Sequence, residues 1–143
     1  MSKPRIWYLP TPYHTDTVFT PELYDRLLRN FDVTANPSEG RISPEQVEES
    51  IAKYDGLITG WGTSFISDEA LRRTDRLKIV AHSAGSVKHL FTAEGVQQYL
   101  IPRDICVVSA NQAIALNVAE HTVGALISVP RRWLFHARNI REK

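Results

Sequence analysis

Apolar and polar positions along this chain fall into blocks, short apolar runs trading places with longer stretches of helical period. Residues 5–9 (RIWYL), 31–35 (FDVTA), 56–60 (GLITG), 77–81 (LKIVA) and 105–108 (ICVV) are runs of the length and β-branched or aromatic content that suit buried strands. Between them, residues 20–30 put Thr20 at an N-cap, Pro21 at the first helical position and Leu23, Leu27 and Leu28 on one face. Residues 43–54 repeat the pattern of Ser cap, Pro and Glu, and residues 67–74 open a third helix. Pro10 and Pro12 halt the first strand in a predicted loop holding Tyr13, His14, Thr15 and Asp16, and residues 91–100 suit a short helix or an irregular connection. Strand and helix in regular alternation predict an α/β fold, a flavodoxin-like doubly wound parallel five-stranded sheet. The loops after strands one, three and four should converge at its carboxyl edge.

The pattern changes after the fifth strand. Residues 117–127 (NVAEHTVGALI) have helical character but are apolar almost all round, with Ala119, Gly124 and Ala125 small enough for close approach. A C-terminal apolar crossover helix, buried on several sides and ended or kinked by Pro130, is expected. The tail is basic, with Arg131, Arg132, Arg138, Arg141 and Lys143 against Glu142, and its ending without a cap or a returning strand suggests a longer chain or a completing partner.

Composition narrows the class. The 143 residues suit one domain with an appendage, and 17 basic against 16 acidic side chains suggest neither a nucleic-acid nor a membrane-surface partner. No apolar run has the length of a bilayer span or a leader, so a cytoplasmic protein is expected. The single cysteine, Cys106, sits in an apolar run and reads as a buried, inert thiol.

The chemistry concentrates behind the fourth strand. Ser83, Ala84, Gly85 and Ser86 carry little side chain, so a ligand could reach their backbone N–H groups, and an anion suits such a loop. A plain turn is the competing reading.

Three stretches, GLITGWGT, RLKIVAHSAGSVKHL and ICVVSANQAIALNVAEHTVGAL, together resemble the signature region of the D-isomer-specific 2-hydroxyacid dehydrogenases across residues 54–127. The resemblance implies a two-domain NAD- or NADP-dependent oxidoreductase that interconverts small 2-hydroxy and 2-oxo carboxylates. Residues 1–108 would form its substrate, or lid, domain, and residues 109–143 the hinge and first helix of a nucleotide-binding domain. It further implies that the main-chain N–H groups of Gly85 and Ser86 hold the substrate carboxylate. Trp61, after a Gly60 where some relatives carry a charged residue, would give a bulky apolar wall, and Val118 would lie near the nicotinamide.

Much of the family pattern is missing. Gly60-Trp61-Gly62 lacks the third glycine of a dinucleotide fingerprint. The family's catalytic Arg, Glu and His belong to a later part of such enzymes, so no catalytic residue is assigned, and His82, His89 and His121 match none of them. His121 reads as structural or interfacial. Residues 109–114 depart from the Asn-Ala-Pro-Gly hinge common in the family. The chain alone is therefore expected to be inactive, to hold no cofactor, and to form a homodimer through residues 117–129. The other reading is a free-standing flavodoxin-like binding or regulatory module that dimerises through the same helix. Strands one and three end without the Asp residues of a phosphoreceiver, and no metal-ligand spacing is present.

Overall fold

The computed structural model describes residues 2–142. Strands β1 (Arg5–Tyr8), β2 (Asp32–Ala35), β3 (Gly56–Thr59), β4 (Ile79–His82) and β5 (Cys106–Ser109) form one parallel sheet in the order β2-β1-β3-β4-β5. This is the flavodoxin-like order the sequence predicts. Helix starts follow the capping signals. Thr20 accepts the Leu23 N–H to open α2 (Pro21–Asn30), and Ser43 and Gln46 close a capping box on α3 (Pro44–Ser50), which tightens into a 3-10 turn at Ile51–Lys53. Ser67 caps α4 (Asp68–Arg73).

Two stretches differ from expectation. The loop foreseen after β1 is instead a helix, α1 (Pro12–Val18). Pro12 stands at its start, where a missing N–H costs nothing, and the Thr15 and Thr17 hydroxyls bond back to the carbonyls of Thr11 and Tyr13. The connection after β4 resolves into α5 (Ala93–Gly95), which widens into a π-helical turn at Val96–Leu100.

Side chains alternate across the sheet. Trp7, Leu57 and Val80 lie side by side in register and bury themselves in the main core with Val47, Ile51, Leu71 and Leu100 from the helical layer. On the other face Tyr8 packs edge-to-face against Phe19 and Tyr24. Toward β4 and β5 no helix among the described residues of the first unit covers that second face. Ile79 and Val108 are 36% and 45% exposed there. Cys106, in register with Ile79, is exposed as well, which corrects the expected buried thiol. Its run is apolar because one side of an edge strand faces the core, and Cys106 is on the other side.

Contacts divide the chain into residues 1–110 and 111–143. In the second unit, α6 (Asn111–Ser128) begins six residues earlier than predicted, continuing through Gln112, Ala113 and Ala115, which favour helix. The residues matched to the family's hinge are thus largely helical. The helix ends before Pro130, as foreseen, and a left-handed Arg132 precedes α7 (Trp133–Arg141). The expectation that α6 is buried on several sides is not met: none of its residues is buried, and Leu116, Val118, Val123, Leu126 and Ile127 are all at least half exposed. An all-round apolar composition signals a need for cover without supplying it. No single helix among the described residues is long and apolar enough to cross a membrane, and α6 and α7 qualify by composition only as a pair bent by 68°. Lys143, the end of the basic tail, lies outside the described residues.

Candidate functional site

Parallel strands deliver their following loops to one edge, and here the loops after β1, β3 and β4 meet around a single imidazole. His14, on the first turn of α1, is 1% exposed. Its Nε2 lies 2.8 Å from Ser83 Oγ in the loop after β4, and its Nδ1 accepts the Trp61 main-chain N–H at 3.4 Å. The Trp61 indole stands edge-on to the imidazole, ring centres 4.8 Å apart.

The turn that carries Trp61 is built for this approach. The Gly60 N–H donates to Thr63 Oγ1, the Thr63 N–H returns to the Gly60 carbonyl, and Gly62 takes the left-handed conformation that spares glycine the usual steric cost. A Cβ on Gly60 would come within 2.5 Å of His14 Nε2. Position 60 therefore has no room for a charged side chain. Arg41, exposed, lies against the outside of the same turn at Gly62.

Behind the turn, the Ser83 hydroxyl and the Ser83 N–H both donate to the Thr59 carbonyl at 2.8 Å, which pins the start of the 83–86 loop to the end of β3. The Ala84 carbonyl accepts the Ala110 N–H, tying the loop to the end of β5. Beyond these ties the Gly85 and Ser86 N–H groups have no partner among the described residues, and Ser86 Oγ accepts from the Lys88 N–H. Two adjacent, unpaired main-chain donors on a pinned loop can hold one carboxylate.

Of the residues singled out in the sequence, Gly85, Ser86 and Trp61 thus stand at one sheet edge. Trp61 is 52% exposed, so it is no ordinary core aromatic. Val118 lies on α6 in the second unit, where it is exposed. His82 is buried, with Nδ1 2.8 Å from Thr59 Oγ1 and its ring against His89, while His121 is exposed on α6. No group of His, Cys, Asp and Glu among the described residues could hold a metal ion. The residue that sequence reasoning passed over is His14. Its available signal was a histidine just past the carboxyl end of a central strand, paired with a glycine at the equivalent place after β3.

Two large clefts in the first unit have none of His14, Trp61, Gly85 and Ser86 in their lining. One, of about 1060 Å³, opens at the amino edge of the sheet between Leu28, Phe31 and Ile79; the other, of about 670 Å³, lies between β5 and Phe91, Val96 and Leu100. In the first, the acid Asp55 is already held by the Arg5 N–H and the Arg76 guanidinium.

Burial pushes the pKa of His14 below 6.5, and burial, then His89 and His14, lower that of His82. The folded unit therefore binds fewer protons than the unfolded chain. The stability that follows is complete above pH 6.5 and is lost as the pH falls from there through the folded pKa values. Carboxylates titrate lower: hydrogen bonds from Arg72 and Arg73 hold Glu69 down to about 2 from 4.5. The urea midpoint of the first unit is expected to drop between pH 7 and pH 5. A midpoint flat over that window would show that both imidazoles charge freely in the fold.

No protein-family model matches the sequence, and no curated protein matches it. Solved structures do. The PH0520 protein from Pyrococcus horikoshii OT3 is 26% identical, with a TM-score of 0.64 over 98% of this chain and 37% of its own. A phosphoglycerate oxidoreductase from Rhizobium etli is 20% identical, with a TM-score of 0.69 over 98% and 40%. An acyclic imino acid reductase in complex with NADPH and D-Arg is 20% identical, with a TM-score of 0.63 over 96% and 41%. D-isomer-specific 2-hydroxyacid dehydrogenases are among the further structures of this fold. The chain spans about two fifths of the length of the three structures described.

Proposed function

On the premise that this chain shares its fold with the D-isomer-specific 2-hydroxyacid dehydrogenases, we propose that it is the substrate-binding portion of an NAD(P)-dependent enzyme of that family. Residues 1–110 act as the substrate domain, and α6 as the first helix of the nucleotide domain. The single observation that carries this reading is the pair of N–H groups at Gly85 and Ser86, unpartnered among the described residues, on a loop pinned to β3 and β5 and joined through His14 to the turn that carries the exposed Trp61 indole. Preorganised backbone donors hold a carboxylate with no side-chain entropy to lose, and the indole offers its substituent an apolar wall. Val118 keeps its assignment beside the nicotinamide as part of the same proposal. The cofactor, NAD or NADP, would supply the hydride. This chain's part is to bind and orient the acid.

Glyoxylate is the direct probe. It is expected to bind the chain with a Kd on the order of 1 mM, about 4 kcal/mol, with amide shift changes centred on Gly85 and Ser86. With no dinucleotide fingerprint in its 143 residues, the chain is expected to show no NADH-dependent reduction of glyoxylate. Saturable turnover, or shift changes centred elsewhere, would contradict the reading.

The exposed apolar side chains of α6 are proposed to pack on a second copy, because contiguous apolar surface of this kind is rare on monomers. Apart from its own stretch of helix, nothing comes within 4 Å of where a Cβ at Gly124 would stand, so Gly124→Leu should fold and yet hold two helices apart. Sedimentation at micromolar concentration is expected to show a dimer for the unaltered chain and a weakened one for the variant; a monomer with α6 protected from hydrogen exchange would refute it.

A further inference from the structure

The hydrogen bonds around His14 have only one possible direction. At one end stands a main-chain donor, the Trp61 N–H, which leaves Nδ1 unprotonated. At the other stands a main-chain acceptor, the Thr59 carbonyl, which takes the Ser83 hydroxyl proton. Ser83 Oγ then has only lone pairs to offer the imidazole, so Nε2 carries the proton and donates across 2.8 Å. We infer that His14 is the positioning residue of this site: a neutral imidazole, protonated at Nε2, that ties the Trp61 turn to the 83–86 loop and so sets the indole wall against the two free amides. This rests on the carboxylate reading of Gly85 and Ser86.

Three observations support a positioning role over ordinary packing. His14 joins the loops after β1, β3 and β4, and each of its ring nitrogens is used on a different loop. The space above it is kept open by a glycine whose replacement would strike the ring. Its partners are the residues flanking the proposed ligand, since Ser83 precedes Gly85 by two positions and Trp61 is the wall itself.

The linkage holds in only one protonation state. A charged His14 would set an Nδ1–H against the Trp61 N–H, two donors face to face, so the turn must let go when the ring titrates. The titratable group that interacts with it is His82 on β4, which has His89 packed on it, while Tyr13 and Asp16 are its neighbours along α1. No carboxylate bonds to His14 among the described residues. Ligand binding is therefore expected to weaken as the pH falls below the ordinary imidazole range and His14 charges.

The test uses ¹⁵N-labelled chain, glyoxylate, and the variants His14→Phe and His14→Gln. Phe fills the ring's place without hydrogen bonds; Gln can still donate to Ser83 but does not titrate. In the unaltered chain the imidazole nitrogens should report the Nε2–H tautomer at pH 7.5. His14→Phe should weaken glyoxylate binding about tenfold, on the order of one net hydrogen bond, and move the Trp61 amide resonance. His14→Gln should keep binding within about threefold of the unaltered chain and abolish its loss between pH 7 and pH 5. The Nδ1–H tautomer, or binding that His14→Phe leaves unchanged while Gly85 and Ser86 still shift in the unaltered chain, overturns the positioning role and leaves the carboxylate reading standing. An unaltered chain that shows no shifts at Gly85 and Ser86, with the Nε2–H tautomer and the Trp61 response to His14→Phe intact, overturns the carboxylate reading instead.

Discussion

Replacing Gly60 by alanine is expected to destabilise the first unit by about 2–3 kcal/mol and to release Trp61 from its place, because a single methyl group here overfills a closed site. The added Cβ would stand 2.5 to 2.9 Å from three atoms of the His14 ring. A flexible side chain would swing away at little cost. His14 cannot, since it is 1% exposed and held at both nitrogens, by Ser83 on one side and the Trp61 N–H on the other. Either the ring breaks those bonds or the turn at residues 60–63 moves outward. Both routes separate the indole from the 83–86 loop. Urea unfolding measures the loss of stability, and the Trp61 amide resonance reports the displacement. An unchanged midpoint with an unshifted Trp61 amide would mean that the three loops are not packed as closely as described. The same substitution at Gly124, which has open space around it, should leave stability within about 0.5 kcal/mol or raise it, since alanine favours helix.

Truncating Leu57 to alanine is expected to cost more, about 3–5 kcal/mol, at the upper end for a buried leucine. The site is the middle of the sheet. Leu57 is 1% exposed, flanked in register by Trp7 on β1 and Val80 on β4, and roofed by the helical layer that contributes Val47, Ile51 and Leu71. A cavity there cannot collapse easily, because both neighbouring strands are fixed by their ladders and Trp7 is already stacked on Tyr54 at 5.0 Å. The urea midpoint should fall with little change in slope. A loss below 1 kcal/mol would show that this face of the sheet is loosely packed. The contrast with Val108 sharpens the test. That residue sits on the same sheet but is 45% exposed on the open face of β5, and its truncation should cost under 1 kcal/mol.

What the sequence determined by itself was the order and kind of the elements, since each strand and most helices carry their instructions locally. Five short apolar runs, three polar caps and two helix-starting prolines sufficed to place β1 to β5 and helices α2 to α4. Local signals are legible because capping and periodicity act within one or two turns of chain. The same locality explains the misreadings. Pro12 reads in sequence as a breaker, although proline breaks a helix only past its first turn, and here it begins one. Cys106 reads in sequence as an interior residue because its neighbours are apolar. Which face of a strand is covered depends on helices distant in sequence, and over β5 the first unit supplies none on that side. The loop at residues 83–86 was visible as a run of small residues. Its free N–H groups were not, because whether an amide is unpaired depends on every other segment that could accept from it. His14 shows the limit most plainly. It is one unremarked histidine in sequence, and its partners are 47 and 69 residues away at Trp61 and Ser83. Only the parallel sheet, which brings three loop starts to a single edge, decides that they meet, and only the fixed direction of hydrogen bonds between a backbone amide and a backbone carbonyl decides where its proton lies.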